Sequence, residues 1–151
     1  MNALKIIPFT IIILFFEFLQ FSGISFFDVR PDFVLLIILA IPFLTRNILE
    51  EVALILLALL ILKFTPVFSR ELVILLVFGL LNLLIQKKIT AWSPAATYIS
   101  GVVIFTALSY VFLAPKLFFS SIFFLELIYN FVFGIIIFWG LLRLKLLSDQ
   151  S

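Results

Sequence analysis

The stretch Phe27–Leu39, FDVRPDFVLLIIL, decides the fold. Its polar half, Asp28, Arg30 and Asp32 around Pro31, lies between two apolar blocks too hydrophobic for a water-soluble fold. It therefore marks where one membrane crossing ends and the next begins. Pro31 keeps Arg30 out of the helical region and starts the following helix at its own fixed φ.

The rest of the chain repeats that apolar block. At 66% hydrophobic and 12% charged, the sequence lies far from the ~45–50% apolar and ~25% charged residues of soluble domains. A mean hydropathy of +1.41 is more than a soluble core can use, and a bilayer can use it. The length of 151 residues fits one transmembrane domain, 1–151, and leaves no soluble domain over. Cysteine and histidine are both absent, which removes thiol nucleophiles, disulfides, the usual zinc clusters and imidazole chemistry. That weighs against an enzyme, and no cofactor or metal is expected. The net charge of +2 comes from Lys and Arg beside the apolar runs, which fits topology better than nucleic acid. Met1–Lys5 before an apolar run has the look of a signal peptide, but Glu17 and Gln20 stand where a small-residue cleavage site belongs, so a retained first span is expected.

In order, the expected all-α architecture has about six transmembrane helices, at 6–21, 33–44, 48–64, 70–86, 94–113 and 118–142. Helix two is short for a span and carries Pro42 near its end, so tilt, local thinning or burial against neighbours must make up the difference. One long helix from Phe33 to Leu62 would put Arg46, Glu50 and Glu51 at the bilayer centre, at about 2.5–3.5 kcal/mol each, so a hairpin near Thr45-Arg46-Asn47 is preferred. Ser69 and Ser93 are the expected caps of helices four and five, the second with Pro94 at the first helical position. Six spans put both termini on one side. Lys5, Arg46, Lys87, Lys88, Arg143 and Lys145 share that side, against Arg30, Lys63, Arg70 and Lys116, which favours cytoplasmic termini by six to four.

Polar groups at membrane depth are the natural candidates for function: Glu17 and Gln20 in helix one, Asn82 in helix four, Glu126 and Asn130 in helix six. Glu126 and Asn130 are four apart and share a helix face, as do Glu17 and Gln20 at a spacing of three. The plain reading is interhelical hydrogen-bond glue; the sharper one is a polar cluster lining a cavity or partner interface. Ala96, Thr97, Ser100, Gly101, Ala107 and Ser109 on helix five are read as a close-packing face, and the 21 phenylalanines as lipid-facing or packing bulk. Asp28, Arg30, Pro31 and Asp32 form either a solvated turn or a rigid charged corner for partner docking.

That corner, with Arg30-Pro31-Asp32-Phe33-Val34-Leu35-Leu36 after a first span ending in Gln20, resembles the signature that opens the second helix in the rod-shape-determining membrane proteins called MreD. Glu126-Leu127-Ile128-Tyr129-Asn130 is similar to that family's closing pattern, a glutamate followed four residues on by asparagine. The third helix departs from the family, since Glu51–Thr65 holds neither glycine nor aspartate and Lys63 occupies the place of the acid. The resemblance implies a non-enzymatic scaffold of the bacterial elongation machinery in the inner membrane, acting in cell shape and cell-wall (peptidoglycan) organisation. Its implied partners are membrane lipid and MreC, a single-span periplasmic protein, and through it MreB filaments and the peptidoglycan synthases; a homodimer is compatible. The implied six-helix arrangement is similar to the substrate-binding subunits of energy-coupling-factor vitamin transporters. A solute-binding subunit of that kind is the alternative function.

Overall fold

A computed structural model of the protein describes residues 10–15, 18, 29–45, 47–62, 69–88 and 93–143. Regular structure among them is helical, with a lone bridge residue at Val29. Helix α1 covers residues 10–15, α2 is Phe33–Ala40 and runs on into a 3-10 turn at Ile41–Phe43, and α3 is Ile48–Leu62. Then come α4, Arg70–Lys88, and α5, Pro94–Leu113; a second 3-10 turn at Pro115–Leu117 leads to α6, Ser121–Arg143.

The helix starts follow from local chemistry. The Asp32 carboxylate accepts the Leu35 N–H at 3.0 Å and caps α2, so Pro31 lies one residue before the cap rather than inside the helix. Asn47 accepts the Leu49 N–H at 3.1 Å, and the Thr45 hydroxyl donates to Glu50 at 2.6 Å across the α2–α3 turn. The expected hairpin is there. Ser69 and Ser93 cap α4 and α5 as expected, accepting from Leu72 N–H at 3.3 Å and Ala96 N–H at 3.2 Å.

Every residue of α2 is at most 4% exposed, because α3, α4, α5 and α6 all pack around it. A helix that is apolar on all sides has no face to offer water, and this one fills the centre of the bundle. Its eight helical residues and three-residue 3-10 turn span about 18 Å, at ~1.5 and ~2.0 Å per residue. That is well under the length of α6, whose 23 residues reach about 34 Å. Pro42, which brings no N–H, tightens the last turn into 3-10 geometry and shortens the expected 33–44 helix.

Helices α5 and α6 form an antiparallel hairpin in which the partners step by four along each helix. Tyr110 meets Glu126, Thr106 meets Asn130, Val102 faces Gly134, and Tyr98 stacks on Phe138 with ring centroids 5.4 Å apart. The buried face of α5 is accordingly Thr97, Tyr98, Gly101, Val102, Phe105, Thr106, Ser109 and Tyr110. The small-residue stripe read from the sequence is only partly right, since Ala96 is exposed and Ser100 and Ala107 are half-buried.

Among the described residues two helices, α5 and α6, are long and apolar enough by length and composition to cross a membrane, fewer than the six expected. Within those residues, α2 falls short of a span because it is brief, and α4 because it carries charges in both end turns. Other boundaries shift as well. Helix α4 runs on to Lys88, a cation that suits its negative end. Helix α6 starts at Ser121 rather than 118, because Phe119 has a positive φ of 71° and Ser120 supplies the cap to Phe123 N–H at 3.2 Å. Most of the first expected span and the end of the third lie outside the described residues.

The closest approach to α2 is at Gly79 of α4. A Cβ there would stand 2.7 Å from Ile38 Cγ2 and 3.1 Å from Ile55 Cγ2, both on stiff β-branched side chains. At Gly134 the same addition meets nothing nearer than 3.4 Å. Gly79→Ala should therefore destabilise by about 1–3 kcal/mol, through forced repacking. Gly134→Ala should be close to neutral, and thermal unfolding in one detergent compares the two. Equal stabilities would contradict the tight α2–α3–α4 packing.

Candidate functional site

Three elements meet at Asn130. Its side-chain oxygen accepts the backbone N–H of Asp32 at 2.8 Å, and its amide donates to Thr106 Oγ1 at 3.1 Å. Asn130 is fully buried and Thr106 likewise, so both bonds lie away from solvent. Asn130 stands nine residues into α6, about 13 Å from Ser121 at ~1.5 Å per residue. The start of α2 is therefore recessed by about that distance from the α5–α6 turn, and α2 is a half-depth helix that begins inside the bundle.

The corner divides into two halves. Pro31 is buried, Asp32 is half-buried and engaged in the cap, and both serve the start of α2. Arg30 is exposed and makes no hydrogen bond or ion pair among the described residues. Asp28 lies outside those residues, as do Glu17 and Gln20.

One turn toward the α5–α6 connection, the Tyr110 hydroxyl donates to the Glu126 carboxylate. Glu126 thus finds its partner on α5, and its expected meeting with Glu17 and Gln20 lies outside the described residues. Ser109 turns its hydroxyl back onto the Thr106 carbonyl at 2.7 Å. With Asp32 and Asn130, these residues form a polar seam along one side of a mainly apolar bundle.

Two side chains reach carbonyls of α2, one in its middle and one at its far end. Asn82 of α4 donates to Leu39 O at 3.0 Å, in the turn where Pro42 brings no donor. Tyr98 of α5 donates to Leu36 O at 3.0 Å. Asn82 sits beside Gly101, where a Cβ would come to 3.5 Å from its Oδ1. The structure thus gives Asn82 and Asn130 the interhelical bonding of the plainer reading.

Sequence reasoning took Tyr98 and Tyr110 for scattered aromatics with little pocket signal and did not single out Thr106. Tyr98, Val102, Thr106 and Tyr110 follow one another at steps of four, a row that runs along the buried side of α5. That spacing was the available signal. Glu51, weighed in the sequence as a charge against one long helix and not as a candidate site, is 1% exposed in the first turn of α3.

Among the described residues, fold and site together define a helical bundle, two of whose helices are long and apolar enough to cross a membrane, built around a buried half-helix and a polar seam. Comparison with protein families, characterised proteins and solved structures finds no match to this chain.

Asn130→Leu would strand the Asp32 N–H and the Thr106 hydroxyl together, and should cost about 1–3 kcal/mol. Thr106→Val removes one of the two bonds and should cost less. A double-mutant cycle by detergent melting should show coupling between the two positions; strict additivity would mean that the bond contributes nothing.

Proposed function

We propose that the chain is a non-enzymatic, multi-pass membrane scaffold similar to the MreD proteins, with six helical segments in the bacterial inner membrane and both termini cytoplasmic. On this reading it acts in cell-shape determination by binding an MreC-like single-span partner, and through it filaments and wall synthases. The observation that carries the proposal is the 2.8 Å bond from the Asp32 N–H to the Asn130 side chain. It joins, across 98 residues, the only two stretches that carry the resemblance. Two motifs that form one structural unit are better support for kinship than two motifs that fall apart in space.

The surface supports a membrane setting. Leu60, Leu84, Ile104, Ile128, Ile136 and Trp139 are all exposed, an exterior that suits lipid. A half-helix is tolerable at membrane depth where protein surrounds it, and α2 is so surrounded. The filled centre of the bundle also favours a scaffold over a solute-binding subunit, which needs a pocket for its ligand. Within the scaffold, Arg30 is the docking point, because it is the member of the corner that faces outward with its charge unpaired among the described residues.

Affinity purification of the tagged protein from its native membrane in mild detergent tests this. A single-span periplasmic protein should co-elute with the native chain, and Arg30→Glu should lose it at unchanged melting temperature. Glu126→Gln, which keeps an acceptor for Tyr110, should retain it. Co-elution of a transmembrane coupling subunit with ATPases would instead establish the transport reading. Undiminished partner binding by Arg30→Glu would reduce the corner to the start of a helix.

A further inference from the structure

The connection between α5 and α6 breaks a local rule. Phe119 adopts a φ of 71°, a left-handed conformation that suits glycine or asparagine and strains a bulky side chain. The conformation is needed there, since it reverses the chain between the Ser120 N–H bond to Leu117 O, at 2.9 Å, and the Ser120 cap of α6. The choice of phenylalanine is not needed for the turn. Its ring is 74% exposed, so burial in the bundle does not offset the strain. Such a conflict between local preference and sequence points to a use for the ring outside the fold.

The surroundings say what meets it. Leu117, Ile122 and Phe124 are exposed beside Phe119, in a connection where glycine, asparagine and aspartate are the usual choices. Between Pro94 and Leu142 the charged residues are Lys116 and Glu126 alone. The connection joins the two helices that are long and apolar enough to cross a bilayer, so in the membrane setting proposed above its position at the end of both puts it at the bilayer surface. Phe118 lies against both Phe119 and Phe123, with ring centroids 4.4 and 4.9 Å away, and backs the exposed ring from below.

We infer that this connection is an interfacial wedge, seated at the boundary between phospholipid headgroups and acyl chains, with the Phe119 ring inserted among the chains and Lys116 facing lipid phosphate. The inference rests on the membrane setting proposed above and goes beyond the scaffold reading. It assigns this end of the bundle to lipid and leaves the recessed Arg30 corner for protein.

The chain has no cysteine, so a single introduced thiol is labelled cleanly. A fluorophore is placed by Phe119→Cys and, separately, by Ile136→Cys on the exposed side of α6, and each labelled protein is reconstituted in phosphatidylcholine nanodiscs. Spin-labelled lipids with the label near the headgroup or near the chain end then quench it, and iodide reports water. At 119 the shallow label should quench about twofold more than the deep one, with little effect of iodide. At 136 the order should reverse. Strong iodide quenching at 119 with deep-lipid quenching at 136 would overturn the wedge and keep the membrane reading. Quenching at 119 by neither lipid nor iodide would overturn it in favour of a protein contact. Iodide quenching at 136 would overturn the membrane reading itself, and the wedge with it. Phe119→Asn, which tolerates the left-handed turn, serves as a fold control: it should melt no lower than the native protein, and a lower melt would mean that the ring is structural.

Discussion

A helix that begins inside an apolar bundle has no water to satisfy its first and last backbone groups, and the whole structure answers that constraint. Each orphaned buried group costs about 1–3 kcal/mol, whereas an interhelical side-chain bond in an apolar setting returns only ~0.6 kcal/mol on average. Leaving a partner out is thus more serious than putting one in is helpful. Asp32 caps the start of α2 with its own carboxylate, Asn130 takes the Asp32 N–H, and Asn82 attends the carbonyl of Leu39. Asp32, Asn82 and Asn130 stand where the short helix needs them.

The same constraint explains how the neighbours are arranged. Asn130 can serve two elements only if α5 and α6 hold a fixed register, and the steps of four from Tyr98·Phe138 up to Tyr110·Glu126 provide it. Where surroundings are as apolar as the core, burial of Leu and Ile drives little association, so close approach matters more. Gly79 lets α4 press against Ile38 and Ile55, and the aromatic contacts of Phe43 with Tyr98 and Phe138, both with centroids at 5.9 Å, close the far end of α2.

Much of this was legible in the sequence. Ser69, Ser93 and the Thr45–Asn47 turn were readable because capping and turn chemistry are local. The brevity of helix two was visible too, along with burial as one of its remedies. What was not legible is that α2 is central and recessed, because composition sets how apolar a segment is and says nothing of which segment the others surround. The α6 start was missed for a different reason: Phe118 and Phe119 read as helix, and their turn conformation contradicts their own preference. Asn130 was singled out by position, yet its partners Thr106 and Asp32 come from 24 and 98 residues away, beyond any local pattern.

The central claim is that α2 is enclosed by the other helices instead of lining the outside as an ordinary span. Carbene labelling of the native protein in nanodiscs containing a diazirine lipid, mapped by peptide mass spectrometry, tests it without any substitution. The account predicts adducts on the outward residues of α6, such as Ile128, Ile135 and Trp139, and none between Phe33 and Phe43. Adducts on Phe33–Phe43 recurring every three to four residues would show a lipid-facing side on α2 and contradict the account.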